Sequence, residues 1–175
     1  VSISFAPILL SVSPVPVYNS SKRMTLVQLY NASPLGSIGM ILLGGILAIL
    51  FGMSAVYGTE KGFSITEISI LVGAIYVSGI LFQYPVGFIS DRMDRRVLII
   101  GLSSFAVFGL TLGLFFSNNF YFLVLVFAIA GGIANPMYSV IIAYTNDYLE
   151  PENMPSAAGG LVFLMGAGGV FSPII

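Results

Sequence analysis

Aspartate and arginine are concentrated in one stretch, Gly87-Phe88-Ile89-Ser90-Asp91-Arg92-Met93-Asp94-Arg95-Arg96. It holds five of the chain's thirteen formal charges within six residues. The chemistry open to these groups is ionic and hydrogen-bonding. Asp91, one helical turn beyond Gly87, can face the positive end of a neighbouring helix and accept its free N–H groups. Arg92, Arg95 and Arg96 can hold phosphates or grip carboxylates in forked geometry. Asp147 and Glu150 are the available carboxylate partners. Gly87 lets the end of its helix approach a neighbour closely.

A second group is neutral. Gly131, Asn135, Tyr138 and Ile142 share a helical face, and Asn135-Pro136 breaks the backbone ladder there. Asn135 and Tyr138 can hydrogen-bond a solute in a cavity, or equally neighbouring helices and freed carbonyls. Ser54 and Tyr57 are weaker candidates of the same kind, and Gln83 and Tyr84 can line a gate or simply snorkel. Catalytic chemistry finds no residues: there is no His and no Cys, which excludes imidazole or thiolate zinc sites, and no catalytic residue or cofactor is implied. Glu67 follows Ser64 at capping-box spacing, with Phe63 and Ile68 as the staple, so it reads as a cap rather than a working carboxylate. The glycines near the end, among them Gly159, Gly166, Gly168 and Gly169, lack the strand and Lys-Ser/Thr of a phosphate loop and read as packing positions.

The elements that must carry these residues follow from composition. The chain is 57% hydrophobic and 7% charged, with a mean hydropathy of +1.02. That is an integral membrane protein. A net charge of −1 argues against a nucleic-acid partner. The expected class is all-α, with about five spanning helices at about 35–57, 65–88, 97–116, 120–148 and 156–175, each long and apolar enough to cross. Ser33-Pro34 opens the first as cap and first helical residue. Gly44, Gly45 and Gly52 offer surfaces for close backbone approach. Residues 1–16 read as the tail of a truncated preceding helix. Residues 17–34 are a polar loop, in which Met24, Val27 and Tyr30 recur at helical spacing. A short helix on the membrane surface and a solvated linker are both open there. A further helix beyond 175 is expected to complete the bundle.

Lys and Arg set the orientation. The loop before the first span has Lys22 and Arg23, and the charged turn has three arginines, against Lys61 alone on the other side. This places residues 89–96 in the cytoplasm of a cell (inner or plasma) membrane. The turn is then either a topology anchor or a cytoplasmic latch whose contacts form and break. The aspartates favour the latch, since acidic residues contribute little to orientation.

Helix, short turn, Gly-x3-Asp-Arg-x-x-Arg-Arg, helix: on Gly87, Asp91, Arg92, Arg95 and Arg96 the chain resembles the major facilitator superfamily of secondary transporters. Asp94 stands where that signature usually has glycine. The order of loops and spans resembles the C-terminal six-helix half. The resemblance implies a major-facilitator-type helix bundle that moves a small solute by alternating access. Its implied partners are the solute, membrane lipids and the missing N-terminal helical bundle of the same protein. A non-transporting receptor or scaffold on the same fold is the alternative.

Overall fold

The computed structural model describes residues 23–172. The expected helix tail at 1–16, the start of the loop at 17–22 and the last residues, 173–175, lie outside the described residues. A short helix, α1 (Leu26–Ala32), precedes five long ones: α2 (Pro34–Glu60), α3 (Ile65–Ser90), α4 (Arg95–Phe115), α5 (Phe120–Asn146) and α6 (Met154–Phe171). The five are 18 to 27 residues long, with mean hydropathies from 1.5 to 2.3, long and apolar enough to cross a membrane.

Local chemistry sets most boundaries. Ser33 accepts from the Gly36 N–H and Pro34 occupies the first turn of α2. Ser64 and Glu67 form the expected capping box, with the Ser64 N–H donating to Glu67 Oε2 at 2.8 Å. Asp94 accepts from the Arg96 N–H at 2.7 Å, which starts α4 at Arg95 rather than at 97. A carboxylate at the N-cap thus draws two of the arginines into the first helical turn. Pro136 leaves the Gly132 carbonyl without its usual donor, yet α5 runs through it unbroken. The unexpected feature is a π-turn, Ile49–Met53, inside α2; the Ser54 hydroxyl that follows it donates to the Leu50 carbonyl.

Packing is organised by α5, the most buried span, with half of its apolar window enclosed. It lies against α3, α4 and α2, while α6 packs on α2. In lipid there is little hydrophobic drive between helices, so close approach of backbones decides which pairs form. A β-carbon at Gly44 would overlap the Met165 carbonyl, and one at Gly168 would overlap that of Ile41. This reciprocal contact locks α2 to α6. Gly131 does the same for α5 on α3, where a β-carbon would meet the Ile75 carbonyl at 2.7 Å. Gly52, Gly87, Gly159 and Gly166, expected to serve close packing, have nothing within 4 Å of that position among the described residues. Of the glycines expected to pack, Gly44 and Gly168 do make close approaches, and Gly36, Gly79 and Gly131 make others; only the rotational setting of each helix distinguishes them.

Replacing Gly44 or Gly168 by leucine should separate α2 from α6 and cost about 2 kcal/mol or more. The expected readout is a lower melting temperature of the purified full-length protein. Gly101→Ala, in open space on α4, should leave that temperature unchanged or raise it.

Candidate functional site

The Asp94 cap and the end of α3 at Ser90 reduce the charged turn to four residues, and its arginines have three different fates. Arg95 is the most enclosed, with its side chain 26% exposed. Its Nη1 donates to both carboxylate oxygens of Asp147, at 2.5 Å each, joining the start of α4 to the end of α5. Asp91, which caps the end of α3, stands 3.8 Å from Arg95 Nη2 with its side chain 77% exposed. Arg95 therefore sits between two carboxylates, one tight and one loose. Arg92 folds back along α3: it donates to the Phe88 carbonyl at 3.1 Å and lies over the Phe88 ring, 3.4 Å from its centre. Arg96 is exposed and makes no ion pair among the described residues.

Asp147 and Glu150 were both expected as carboxylate partners, and the structure separates them. Asp147 holds Arg95, whereas Glu150 is exposed and makes no ion pair among the described residues. The Arg95–Asp147 pair joins two helices of one bundle, so it fixes α4 to α5. Asp91 keeps most of its side-chain surface free, and Glu150 is exposed at the same end. Three polar atoms buried there have no hydrogen-bond partner among the described residues: Arg95 Nε, Asn146 Oδ1 and Ser37 Oγ. Thr145 is fully buried beside Gly36 and donates to the Ile141 carbonyl at 2.9 Å. Thr145, Ser37 and Asn146 do not stand out in the sequence. Their only signal is a polar residue near the end of an apolar helix, which is too common to single them out.

The neutral candidates do not form one site. The Asn135 amide donates to the Gly131 carbonyl at 2.8 Å and packs against Gly79 of α3, the helix-contact reading of this residue. Tyr138 is half-buried against the core, one side of which is Ile133, Met137 and Ile141. Ser54 and Tyr57 line a cavity of about 520 Å³ with Leu50, Leu110, Phe127 and Glu60, between α2, α4 and α5. The Ser54 hydroxyl is already bonded to Leu50, and Tyr57 stacks on Phe127 at 5.8 Å. A neighbouring cavity of about 580 Å³, further along α2, is lined by Leu35, Ile38, Leu42, Ile99 and Val107 among others. Both are apolar, suited to side chains or acyl groups rather than to a polar solute. Gln83 reaches Ser139 on α5 at 3.4 Å, and Tyr84 is 80% exposed. Among the described residues no three His, Cys, Asp or Glu side chains are grouped so as to hold a metal ion.

The sequence profile described as Major Facilitator Superfamily matches residues 35–175. Among curated proteins, the chain is 31% identical over 121 residues to the uncharacterized MFS-type transporter YfkF of Bacillus subtilis, covering 67% of this chain and 30% of that protein. It is 24% identical over 155 residues to the uncharacterized MFS-type transporter YcaD of Escherichia coli, covering 89% of this chain and 40% of that one. An uncharacterized MFS-type transporter of Yersinia pestis is 29% identical over 102 residues, 55% of this chain and 25% of its own. The chain thus spans well under half the length of the curated relatives it matches. No solved structure gives a significant match.

A double-mutant cycle on Arg95→Ala and Asp147→Ala should return a coupling of about 1 kcal/mol, since one guanidinium nitrogen engages both carboxylate oxygens in a partly exposed pair. Chemical unfolding of the full-length protein measures it. A cycle on Arg95 and Glu150 should return none.

Proposed function

This chain belongs to the major facilitator superfamily, and on that premise we propose that it is one helical bundle of a secondary transporter. In this reading a small solute crosses by alternating access, as this bundle and a second one in the same protein rock about a central site. The chain covers only part of its relatives' length, so the solute pathway is shared with residues outside it. Its arginine-bearing end faces the cytoplasm of the cell membrane, on the count of Lys and Arg in the short loops.

The observation that carries the mechanism is the uneven pairing at the charged turn. Arg95 is held within the bundle by Asp147, which makes the ends of α4 and α5 one rigid edge. Asp91 is left 77% exposed at that edge, with only a 3.8 Å contact to Arg95. A carboxylate that is positioned but mostly unsatisfied suits a contact made in one state and lost in the other. Its complement is the positive N-terminal end of a helix in the second bundle. Glu150, exposed nearby, suits the same surface. Gly87, with nothing against it among the described residues, leaves room for that helix to come close. The latch is thus Asp91 and its missing partner, and the Arg95–Asp147 pair is the support that holds the latch residue in place.

No Asp, Glu, Lys or Arg interrupts the middle of any of the five spans. A coupling proton, if one is used, is carried by a residue outside these helices.

Spin labels at the cytoplasmic ends of the two bundles, in the full-length protein in vesicles, test this. Asp91→Arg should shift the distances between bundles towards the separation open to the cytoplasm, and should lower solute flux. Asp94→Asn, which touches only the α4 cap, should not shift them. An unshifted distance distribution in a correctly inserted Asp91→Arg protein would sink the latch.

A further inference from the structure

The short helix α1 lines neither of the two cavities along α2 and makes no ion pair among the described residues, yet it is fixed in place. Leu29 is 1% exposed, against Gly160 of α6. The Met24 N–H donates to the Ser156 hydroxyl at 2.8 Å, and Thr25 with Gln28 closes a capping box. Only Ser33, the cap of α2, separates α1 from a spanning helix. Seven helical residues cover about 10 Å, so α1 stands within about that distance of the point where α2 enters the hydrocarbon.

At about 100° per residue, its side chains divide into three sectors. Leu29 points into the protein. Leu26, Tyr30 and Val27 fan out along one flank, and Thr25, Gln28 and Asn31 along the other. The apolar flank is uncovered, with Leu26 41%, Tyr30 48% and Val27 69% exposed. The polar flank is exposed as well. A helix standing free in water gains nothing from an uncovered apolar flank, whereas one lying at a membrane boundary buries it among headgroups and upper acyl chain. Tyrosine suits that layer, with an apolar ring and a polar tip. Arg23, two residues ahead of the cap, is exposed and makes no ion pair among the described residues. It adds a cation at the same level, where lipid phosphates lie.

We propose that α1 is a membrane-surface helix whose Leu26, Tyr30 and Val27 flank lies in the inner headgroup layer, with Arg23 bound to the phosphate of an anionic phospholipid. Leu29 and Ser156 tie it to α6 and Ser33 ties it to α2, so it serves as a foot for that helix pair, set at a fixed depth. The inference is independent of transport, because its test reads position and not flux.

The test places a single fluorophore at Leu26→Cys or at Asn31→Cys, about 140° apart around the helix, in the full-length protein, in vesicles of phosphatidylcholine with or without phosphatidylglycerol. Nitroxide carried near the lipid headgroup should quench the label at 26, and aqueous iodide should quench the label at 31. Phosphatidylglycerol should strengthen the lipid quenching at 26, and Arg23→Gln should lose that gain. Iodide quenching at 26 as strong as at 31 would mean that α1 stands in water, which overturns the proposal. Shielding of 26 from both quenchers would mean that protein covers the flank, which overturns it equally. Lipid quenching that ignores phosphatidylglycerol would overturn the role of Arg23.

Discussion

Helices in hydrocarbon cannot be driven together by water, so this bundle depends on how closely its backbones can touch. The α2–α6 contact shows the constraint in its barest form. Gly44 faces the Met165 carbonyl and Gly168 faces the Ile41 carbonyl, with no room for a side chain at either point. Such contact gains dispersion energy over a long line of atoms, and it costs no side-chain entropy because glycine has none to lose. The α3–α5 contact at Gly131 and Gly79 repeats the solution with an amide side chain in the seam. Two tight pairs result, and α5 also reaches α2 through Gly36 and Gly39, which joins them.

Charge is then confined to where that packing stops. Between its ends the bundle has no Asp, Glu, Lys or Arg to satisfy, and at the arginine end the groups are graded by their partners. Arg95 is half-buried and donates to both oxygens of Asp147, Arg92 lies on an aromatic ring, and Arg96 and Arg23 are exposed. The grading has a physical basis, since a guanidinium that loses water needs a carboxylate while an exposed one does not. It also divides the labour at this end: a fixed pair holds the helices, and open groups remain for whatever lies beyond the bundle.

The same division applies to the apolar surface. Several glycines with nothing against them among the described residues, Gly52, Gly73, Gly87, Gly101, Gly159 and Gly166, lie on faces turned away from the bundle's own contacts. The two cavities along α2 are apolar throughout most of their lining. A five-helix unit with such surfaces is shaped to be covered by lipid or by further helices, in keeping with a chain that spans a fraction of its relatives' length.

The amino-acid sequence by itself determined the class, the number of long apolar helices, the capping box at Ser64 and Glu67, and the family, because each depends on local composition or spacing. A capping box needs only residues three apart, and a span needs only an unbroken apolar run. Tertiary structure alone decided which glycines are contact points, since that depends on the rotation of one helix against another. It also decided that Asp147 and not Glu150 takes Arg95, and that Asn135 turns to Gly79 rather than into a cavity with Ser54 and Tyr57. The π-turn at Ile49–Met53 was likewise invisible: one extra residue in a helical turn leaves the apolar pattern of α2 almost unchanged, and only the position of its neighbours registers the shift.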